Sequence, residues 1–267
     1  MTTTKLLSSD LDGTLIFDRA ISGDTIAAID AWQNAGHLAV CATGKSIAAT
    51  KHALRPSNLE FDFYVLYTGA VITDKDYNIL MSTTLPTELV VEIVGRLSGE
   101  PGMGVFATTL DTNDVRLAST IPPELTTDIV QYFDPMPISD IRNHTFVGIP
   151  LWINAGAATE DSIARIHAWI RDQYGDVVDC HRNQDFLDIV PANCTKRTGL
   201  EWLMSHLRDT TSATYETYSL GDSWNDIDMH QWADHSVSFP HSPVEIQQLT
   251  ESVATTAASY IHEVLAQ

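Results

Sequence analysis

Long apolar runs, paired cysteines and positive charge are all scarce in this chain of 267 residues. No stretch reaches the about 18 consecutive apolar residues that a membrane-spanning helix needs, so we expect no such helix. The opening residues, MTTTKLLSSD, have an apolar run too short for the core of a signal peptide. Cys41, Cys180 and Cys194 are odd in number and lack metal-ligand spacing, so we expect free, packed thiols in a reducing cytoplasm.

The shortage of cations limits the choice of partners. Fifteen Lys and Arg residues stand against 35 Asp and Glu residues, which gives a net charge of −20. Such a surface repels polyanions, so nucleic acid and anionic membranes are excluded as partners. A small anionic substrate is repelled as well, unless cations are concentrated where it binds. The length is sufficient for one large domain or two small ones with a buried core.

The first third of the chain alternates strand-like and helix-like patterns, which is typical of a parallel, doubly wound sheet. The predicted elements are a strand at 5–9, a helix capped by Ser22 and ending near Ala35, a strand at 37–44, a helix at 46–54 and a strand at 61–72 that leads into a hairpin.

The middle of the chain has a different pattern. It contains no Lys between Leu85 and His181, and Pro and Gly interrupt it often. Helical spacing stands out at 86–98 and 159–172, with strand-like runs between and after these segments. We therefore predict an inserted α+β unit with an open sheet at 84–183.

The last third returns to the first pattern, so residues 1–83 and 184–267 are predicted to form one α/β core around the insertion. Its predicted elements are a strand at 186–190, an amphipathic helix at 196–207, a strand and helix within 215–229, a strand at 236–239 and a helix at 253–265.

Polar side chains mark the ends of the predicted core strands. The four segments are Asp10-Leu11-Asp12-Gly13-Thr14, Thr43-Gly44-Lys45, the segment at Lys196, and Gly221-Asp222 with Asn225-Asp226. Ligands of open parallel sheets bind beyond the carboxyl ends of the strands, so we expect these segments to converge on one crevice.

Four aspartates in one crevice need a counter-charge. Two carboxylates about 5 Å apart repel each other by roughly 3 kcal/mol at an effective dielectric constant of 20. A divalent cation between Asp10, Asp12, Asp222 and Asp226 would remove this repulsion. Oxygen ligands without nearby His or Cys favour Mg²⁺ over Zn²⁺.

The same crevice is predicted to hold a phosphoryl group. Thr43 supplies a hydroxyl, Gly44 allows close approach of its backbone N–H, and Lys196 adds a positive charge. A carboxylate is a competent nucleophile, so Asp10 is placed to attack phosphorus. Asp12 is placed to protonate the leaving oxygen and later to activate water.

These four motifs resemble those of the haloacid dehalogenase superfamily of aspartate-nucleophile phosphatases. The pattern consists of DxDGT at 10–14, Thr-Gly at 43–44, Lys196 followed by Gly199, and GDxxND at 221–226. The inserted unit resembles the cap of the Cof-type sugar phosphatases of subclass IIB. The resemblance implies a Rossmann-like core, a mobile cap that closes over the site, a Mg²⁺ cofactor and a small phosphorylated metabolite as substrate.

The resemblance also implies a role for each motif residue. They are Asp10 as nucleophile and metal ligand, Asp12 as general acid/base with its backbone carbonyl on the metal, Thr43 and Lys196 on the phosphoryl group, Asp222 as a metal ligand, Asp226 as support of the metal shell and Asn225 on phosphate or substrate.

Two positions depart from the family pattern. Residue 45 is Lys where Arg is usual, which removes a bidentate contact to substrate. Thr68-Gly69-Ala70 stands where Asn-Gly-Ala is usual, which alters a second substrate-side contact.

Several alternatives stay open at this level. A phosphomutase of the same superfamily would use the same aspartates, and a catalytically silent metabolite-binding or scaffold protein would retain the fold. His230, His235 and His241 are predicted to be structural or surface residues, since their spacing suits no metal site. Trp152 or Trp169 is a minor candidate for lining substrate. The chain is expected to act as a monomer or a homodimer, and the sequence favours neither.

Overall fold

The computed structural model describes residues 3–122, 133–153, 160–183 and 186–267. The chain divides into two compact units. The first consists of Met1–Ser82 with Thr195–Gln267, and the second of Thr83–Cys194.

Strands and helices account for most of the described chain. The strands are β1 (Thr3–Ser9), β2 (Ile16–Phe17), β3 (Ala20–Ile21), β4 (Leu38–Ala42), β5 (Phe63–Leu66), β6 (Val71–Asp74), β7 (Ile79–Ser82), β8 (Met103–Thr109), β9 (Val115–Ser119), β10 (Asp134–Pro135), β11 (Phe146–Ile153), β12 (Val178–Asn183), β13 (Phe186–Pro191), β14 (Thr214–Leu220), β15 (His235–Ser238) and β16 (Ser252–Val253). The α-helices are α1 (Gly23–Asn34), α2 (Ile47–Leu54), α3 (Thr87–Leu97), α4 (Glu160–Tyr174), α5 (Lys196–Thr210), α6 (Ile227–Trp232), α7 (Val244–Leu249) and α8 (Ala257–Leu265).

The first unit is built on an eight-stranded sheet in the order β16-β15-β14-β1-β4-β5-β6-β7. The strands from β16 to β5 are parallel, while β6 and β7 are antiparallel to their neighbours. This arrangement confirms the predicted doubly wound parallel sheet. Because β1 lies between β14 and β4, the loops that follow these three strands are neighbours at one edge of the sheet.

Local sequence explains the first elements. Leu6 and Leu7 of β1 are buried, as expected for a central strand covered on both faces. The helix α1 begins after Ser22, whose Oγ accepts a hydrogen bond from the backbone N–H of Thr25 at 3.1 Å. It stops before Gly36, which has a φ of 84°. The predicted strand at 5–9 and the helix capped by Ser22 are confirmed.

The predicted strand at 61–72 is wrong in one important respect. β5 ends at Leu66, and the chain then turns through the 3₁₀ segment Tyr67–Gly69 before returning as antiparallel β6. Tyr67, Thr68 and Gly69 all have positive φ values, of 50°, 54° and 95°. Only Gly69 signals this reversal in the sequence, because the residues around it are those of a buried strand.

The helix α5 covers one face of this sheet with the apolar residues predicted from its spacing. They are Leu200, Leu203, Met204 and Leu207. They pack in one cluster with residues of the sheet, including Leu6, Val40, Val65 and Ile72. The predicted amphipathic helix is therefore confirmed, and its packing fixes the start of α5 against the sheet.

The second unit contains a six-stranded sheet in the order β10-β9-β8-β11-β13-β12. The predicted helices at 86–98 and 159–172 occur as α3 and α4, while residue 159 lies outside the described residues. Both helices contribute apolar side chains to one core with this sheet. The core helix positions include Val90, Ile93, Val94, Ile163, Ile166 and Ile170.

The strand predicted at 186–190 belongs to this second sheet and not to the core sheet. β13 pairs antiparallel with β11 and with β12, so the second unit extends to Cys194 and the predicted boundary at 183/184 is wrong. The local apolar pattern of a strand does not specify which sheet it joins, because pairing partners are distant in sequence.

Trp152 and Trp169, of which one is predicted as a minor candidate for lining substrate, both pack within the second unit. Trp152 is buried in a small cluster with Phe106 and Ile121. Trp169 lies edge-on to Tyr174, with ring centroids 5.5 Å apart, and the Arg96 guanidinium stands 5.7 Å from the Trp169 ring centroid. These contacts account for the packing of both side chains, and a substrate-lining role for either one stays a prediction.

The cysteines and the absence of long apolar runs are two features of the composition that carry structural expectations. The three cysteines are free thiols, and Cys41 and Cys194 are buried. Within the described part of the chain, no helix combines the length and apolarity required to cross a membrane.

The contacts of His235 predict that the stability of the first unit depends on pH. Its Nδ1 lies 2.9 Å from Glu251 Oε2, and its Nε2 lies 3.1 Å from Glu216 Oε1. Burial lowers the pKa of His235, but the two carboxylates outweigh burial and raise it above its ordinary value. A raised folded-state pKa means that the stabilisation is complete below the unfolded value of about 6.5 and is lost as pH rises through the folded value.

We predict that His235→Gln lowers the free energy of unfolding more at pH 5.5 than at pH 8.5. Denaturant unfolding of wild type and variant at both pH values measures this difference. Glu251→Gln should reduce the pH dependence by removing one partner. Equal destabilisation of His235→Gln at the two pH values would contradict the role of the charged imidazole.

Candidate active site

Three of the predicted strand ends meet at the carboxyl edge of the parallel sheet. Asp10 follows β1 and donates its backbone N–H to Leu220 O at 3.0 Å, at the end of β14. Thr43 follows β4 and donates its backbone N–H to Val65 O at 2.9 Å. Gly221 follows β14 and donates to Val237 O at 3.2 Å. Hydrogen bonds between neighbouring strands thus hold the three motif loops side by side.

Lys196 reaches this edge from a helix, as predicted for 196–207, whereas the strand that precedes it, β13, belongs to the second sheet and not to the core sheet. Lys196 is the first residue of α5, whose N-cap Thr195 accepts a hydrogen bond from Thr198 N. The Lys196 Nζ lies 2.6 Å from Asp10 Oδ1 and 2.6 Å from Asp226 Oδ1. The side chains of Lys196 and Asp226 are 0% exposed, and that of Asp10 is 9% exposed.

Two glycines allow α5 to come close enough for this contact. A Cβ atom on Gly69, whose φ is 95°, would lie 1.9 Å from the carbonyl oxygen of Thr195. A Cβ atom on Gly199 would lie 2.5 Å from Val65 Cγ1 and 3.0 Å from Gly69 Cα. The start of α5 therefore packs directly on the turn after β5, and this packing directs Lys196 towards Asp10.

Asp226 has hydrogen-bond donors on both carboxylate oxygens. Its Oδ1 accepts from Lys196, and its Oδ2 accepts from the backbone N–H groups of Asp222 and Ser223, each at 3.1 Å. A Cβ atom on Gly221 would lie 2.5 Å from Asp226 Cγ, so the loop folds tightly over this carboxylate. Asp226 thus shapes the loop that carries Asp222.

Asp222 is held by the loop after β1. Thr14 Oγ1 donates a hydrogen bond to Asp222 Oδ1 at 3.2 Å. A Cβ atom on Gly13, whose φ is 76°, would lie 2.5 Å from Asp222 Oδ2. The glycine and the threonine of the DxDGT motif therefore act on the distant aspartate and not only on the local turn.

The carboxylates form a cluster that suits a hard divalent cation. One ligand oxygen from each of Asp10, Asp222 and Asp226 lies within 4.8 Å of the other two. Burial raises the pKa of Asp10 to about 7; Lys196 opposes this shift and Asp226 adds to it. Burial also raises the pKa of Asp222, again with a contribution from Asp226. A cation among these oxygens would relieve the cost of ionising them, and an all-oxygen donor set fits Mg²⁺ or Ca²⁺.

Lys196 keeps its proton in this environment. Burial alone would lower its pKa, but the carboxylates of Asp10 and Asp226 outweigh burial and hold the pKa above its ordinary value. The ammonium group is therefore a permanent positive charge at the base of the site.

The carboxylate of Asp12 lies outside the cluster of Asp10, Asp222 and Asp226. Its Oδ2 forms an ion pair with Lys45 Nζ at 2.6 Å, and its side chain is 62% exposed. The lysine that stands at residue 45 in place of the usual arginine therefore binds a carboxylate of the DxDGT motif. A lysine at this position contacts the candidate acid/base directly.

The remaining predicted phosphate contacts lie on the loops after β4 and β14. Thr43 is buried, and its Oγ1 accepts a hydrogen bond from Lys45 N at 3.3 Å. Thr68 N donates to Thr43 O at 3.2 Å, and Thr68 Oγ1 lies 3.3 Å from the position of a Cβ on Gly44. Gly44 and Asn225 are both exposed, Asn225 within the 3₁₀ turn Trp224–Asp226.

The structure also separates the three histidines that the sequence groups. His230 is buried with its Nδ1 2.9 Å from Ser219 Oγ, and His235 contacts two glutamates. His241 donates from Nε2 to the carbonyl oxygen of Gly13 at 2.6 Å. Sequence reasoning missed this link, and it also missed the Thr14 contact to Asp222, since neither pairing has a local spacing signal.

Comparison with known proteins agrees with this geometry. Residues 7–259 match the family of haloacid dehalogenase-like hydrolases, as the four motifs predicted. A relative from Haemophilus influenzae, named "Putative phosphatase", is 27% identical over 244 residues, which are 86% of this chain and 82% of the relative.

Solved structures show the same fold. A haloacid dehalogenase-like hydrolase from Bacteroides thetaiotaomicron has a TM-score of 0.78 at 16% identity and covers 98% of this chain and 100% of its own. A haloacid dehalogenase subclass IIB sugar phosphatase has a TM-score of 0.75 at 19% identity and covers 99% of this chain and 100% of its own. At these identities the likeness is one of fold.

The close approach at Gly69 leads to a stability prediction. Gly69→Ala should lower the free energy of unfolding by at least about 2 kcal/mol, because the new methyl group overlaps the Thr195 carbonyl and the backbone has a positive φ. Denaturant unfolding measures the loss. Gly23→Ala in the same unit is the matched control, since a Cβ there has no heavy atom within 4 Å. Equal stability of the two variants would show that α5 does not depend on this contact.

Proposed function

Because this chain belongs to the haloacid dehalogenase-like hydrolase family, we propose that it is a Mg²⁺-dependent phosphatase of small phosphorylated metabolites, with sugar phosphates as the expected class. The observation that carries this proposal is the buried Asp10, placed at the end of β1 beside Lys196 and within reach of Asp222. The phosphatase name of the Haemophilus relative and the sugar phosphatase among the structural neighbours support it.

We assign Asp10 as the nucleophile. Lys196 holds its Oδ1, so we assign Oδ2 to the attack on phosphorus. The new bond joins Oδ2 to phosphorus while the bond from phosphorus to the substrate oxygen breaks, which gives an aspartyl phosphate and an alcohol. Water then attacks phosphorus, and Asp10 is released as a carboxylate with inorganic phosphate as product.

Asp12 is assigned as the general acid and base of these two steps. It takes up a proton before the first step, gives that proton to the departing oxygen, and takes one from water in the second step. Lys45, 2.6 Å from Asp12 Oδ2, holds the carboxylate of Asp12 at the exposed side of the site before substrate arrives. In this proposal the exposed Asp12 transfers protons and the buried Asp10 is the nucleophile.

We assign the binding of the phosphoryl group to residues of two loops and of the start of α5. The proposed contacts are the Thr43 hydroxyl, the exposed backbone of Gly44, the Lys196 ammonium group and the Asn225 side chain. Preorganised donors of this kind stabilise the charge that develops on the phosphoryl oxygens in the transition state.

The proposed cation site consists of Asp10, Asp222 and the backbone carbonyl of Asp12, with Asp226 as support because both its oxygens already accept hydrogen bonds. A bound Mg²⁺ supplies positive charge for the phosphoryl oxygens. We assign the choice of leaving group to the second unit, Thr83–Cys194.

The central test is phosphate release from a panel of phosphomonoesters. We expect turnover that EDTA abolishes and Mg²⁺ restores, and a loss of at least about 10³-fold in Asp10→Asn, since covalent catalysis is then impossible. Asp30→Asn, at an exposed position of α1, is the matched control and should retain full activity. Isomerised product without free phosphate would instead identify a phosphomutase, and tight binding without turnover would identify a silent binder.

The cation should stabilise the protein in a pH-dependent way. The raised pKa of Asp10 means that, without a cation, stability is lost as pH rises through about 7. Mg²⁺ offsets this loss, so we expect it to raise the Tm more at pH 8 than at pH 5.5. Thermal unfolding with and without Mg²⁺ measures both shifts.

Asp222→Asn should reduce the shift at pH 8, whereas Asp30→Asn should leave it unchanged. A wild-type Tm that does not respond to Mg²⁺ at pH 8 would contradict the assignment of the cation site.

A further inference from the structure

His241 connects two loops of the candidate site. It lies three residues after β15, in a loop that the strand order β15-β14-β1 places near the DxDGT loop. Its Nε2 donates a hydrogen bond to the carbonyl oxygen of Gly13 at 2.6 Å. Gly13 is flanked by Asp12, the proposed acid/base, and by Thr14, which donates to Asp222.

The imidazole is held in place from several sides. Its ring stacks on buried Phe239, with ring centroids 5.5 Å apart and an interplanar angle of 8°. Phe17 meets the same ring edge-on, with centroids 5.3 Å apart and an angle of 88°. Such aromatic contacts are favourable beyond the area they bury. The donor atom of His241 is therefore directed at Gly13 by its surroundings.

The loop that carries His241 is itself well fastened. Phe239 N donates to Ser242 Oγ at 3.1 Å, and Ser242 N donates back to Phe239 O at 3.0 Å. Gln247 Nε2 donates to Ser242 O at 2.8 Å. These bonds close the turn that carries His241 and restrain its backbone.

The hydrogen bond from His241 acts on the middle of the DxDGT loop, at the carbonyl of Gly13. Gly13 N donates to Ile16 O at 3.1 Å, which starts the β2–β3 hairpin, and Phe17 of this hairpin also touches His241. One imidazole thus contacts the backbone between Asp12 and Thr14 and the hairpin that follows. Displacing the Gly13 peptide would move both flanking residues.

We propose that His241 is a positioning residue for the reaction: it fixes the Gly13 peptide and thereby the placement of Asp12 and Thr14, without touching substrate. This proposal rests on the proposed phosphatase function for its kinetic consequence, while its structural consequence is independent of it. Misplacement of a catalytic group by about 1 Å can cost up to 10²-fold in rate.

The test separates the hydrogen bond from the aromatic packing. His241→Phe keeps a ring between Phe17 and Phe239 but removes the donor, whereas His241→Gln keeps an N–H donor at the same number of bonds from the backbone. We expect kcat of His241→Phe to fall about tenfold with KM within about twofold, because the proposed phosphate contacts Thr43 and Lys196 lie on the loop after β4 and on α5. His241→Gln should recover most of kcat.

Hydrogen exchange supplies a measurement that does not depend on turnover. The amides of Gly13, Leu15 and Ile16 all donate to backbone carbonyls within this loop. We expect them to exchange about two- to tenfold faster in His241→Phe than in wild type, in line with the loss of one hydrogen bond. His262→Phe, at an exposed position of α8, is the matched control and should change neither exchange nor kcat.

The outcomes distinguish the two proposals. Unchanged exchange and unchanged kcat in His241→Phe would overturn the positioning role, as would a loss of kcat that His241→Gln does not recover. A wild-type protein that releases no phosphate from any ester, while His241→Phe still exchanges faster at these amides, would overturn the phosphatase function and leave the structural link standing.

Discussion

The site is organised around one fully buried ammonium group. Lys196 bridges Asp10 and Asp226 at 2.6 Å each, and none of its side chain is exposed. Removing one member of a buried ion pair leaves an uncompensated charge and costs about 3–5 kcal/mol. The three side chains are therefore interdependent, and three segments far apart in sequence must meet for any of them to be tolerated in the interior.

Backbone geometry makes that meeting possible. The parallel order β14-β1-β4 brings the loops of Asp226, Asp10 and Thr43 to one edge of the sheet. The lysine, however, arrives on a helix, and the helix can approach only because residues 69 and 199 lack side chains. The turn with positive φ after β5 interrupts the strand at the place where the start of α5 packs. The backbone of this turn is the surface that α5 contacts.

Sequence reasoning predicts this protein best where the physics is local. Alternating strand and helix patterns, the Ser22 cap and the amphipathic face of α5 each depend on neighbours within a few residues, and each occurs as predicted. The assignment of 186–190 to the core failed because strand pairing is decided at long range. The links from Thr14 to Asp222 and from His241 to Gly13 span more than 200 residues, so no spacing in the sequence could indicate them.

Charge balance connects the site with the acidity of the whole chain. Asp10, Asp12, Asp222 and Asp226 carry four negative charges when ionised, and Lys196 and Lys45 contribute two positive ones. One divalent cation would bring this group to neutrality, and only then could a phosphoryl dianion bind without net repulsion from the site. On a protein with a net charge of −20, binding of cation and substrate is therefore coupled under the proposed function. The two lysines neutralise part of the negative charge of the site, and the divalent cation would neutralise the rest.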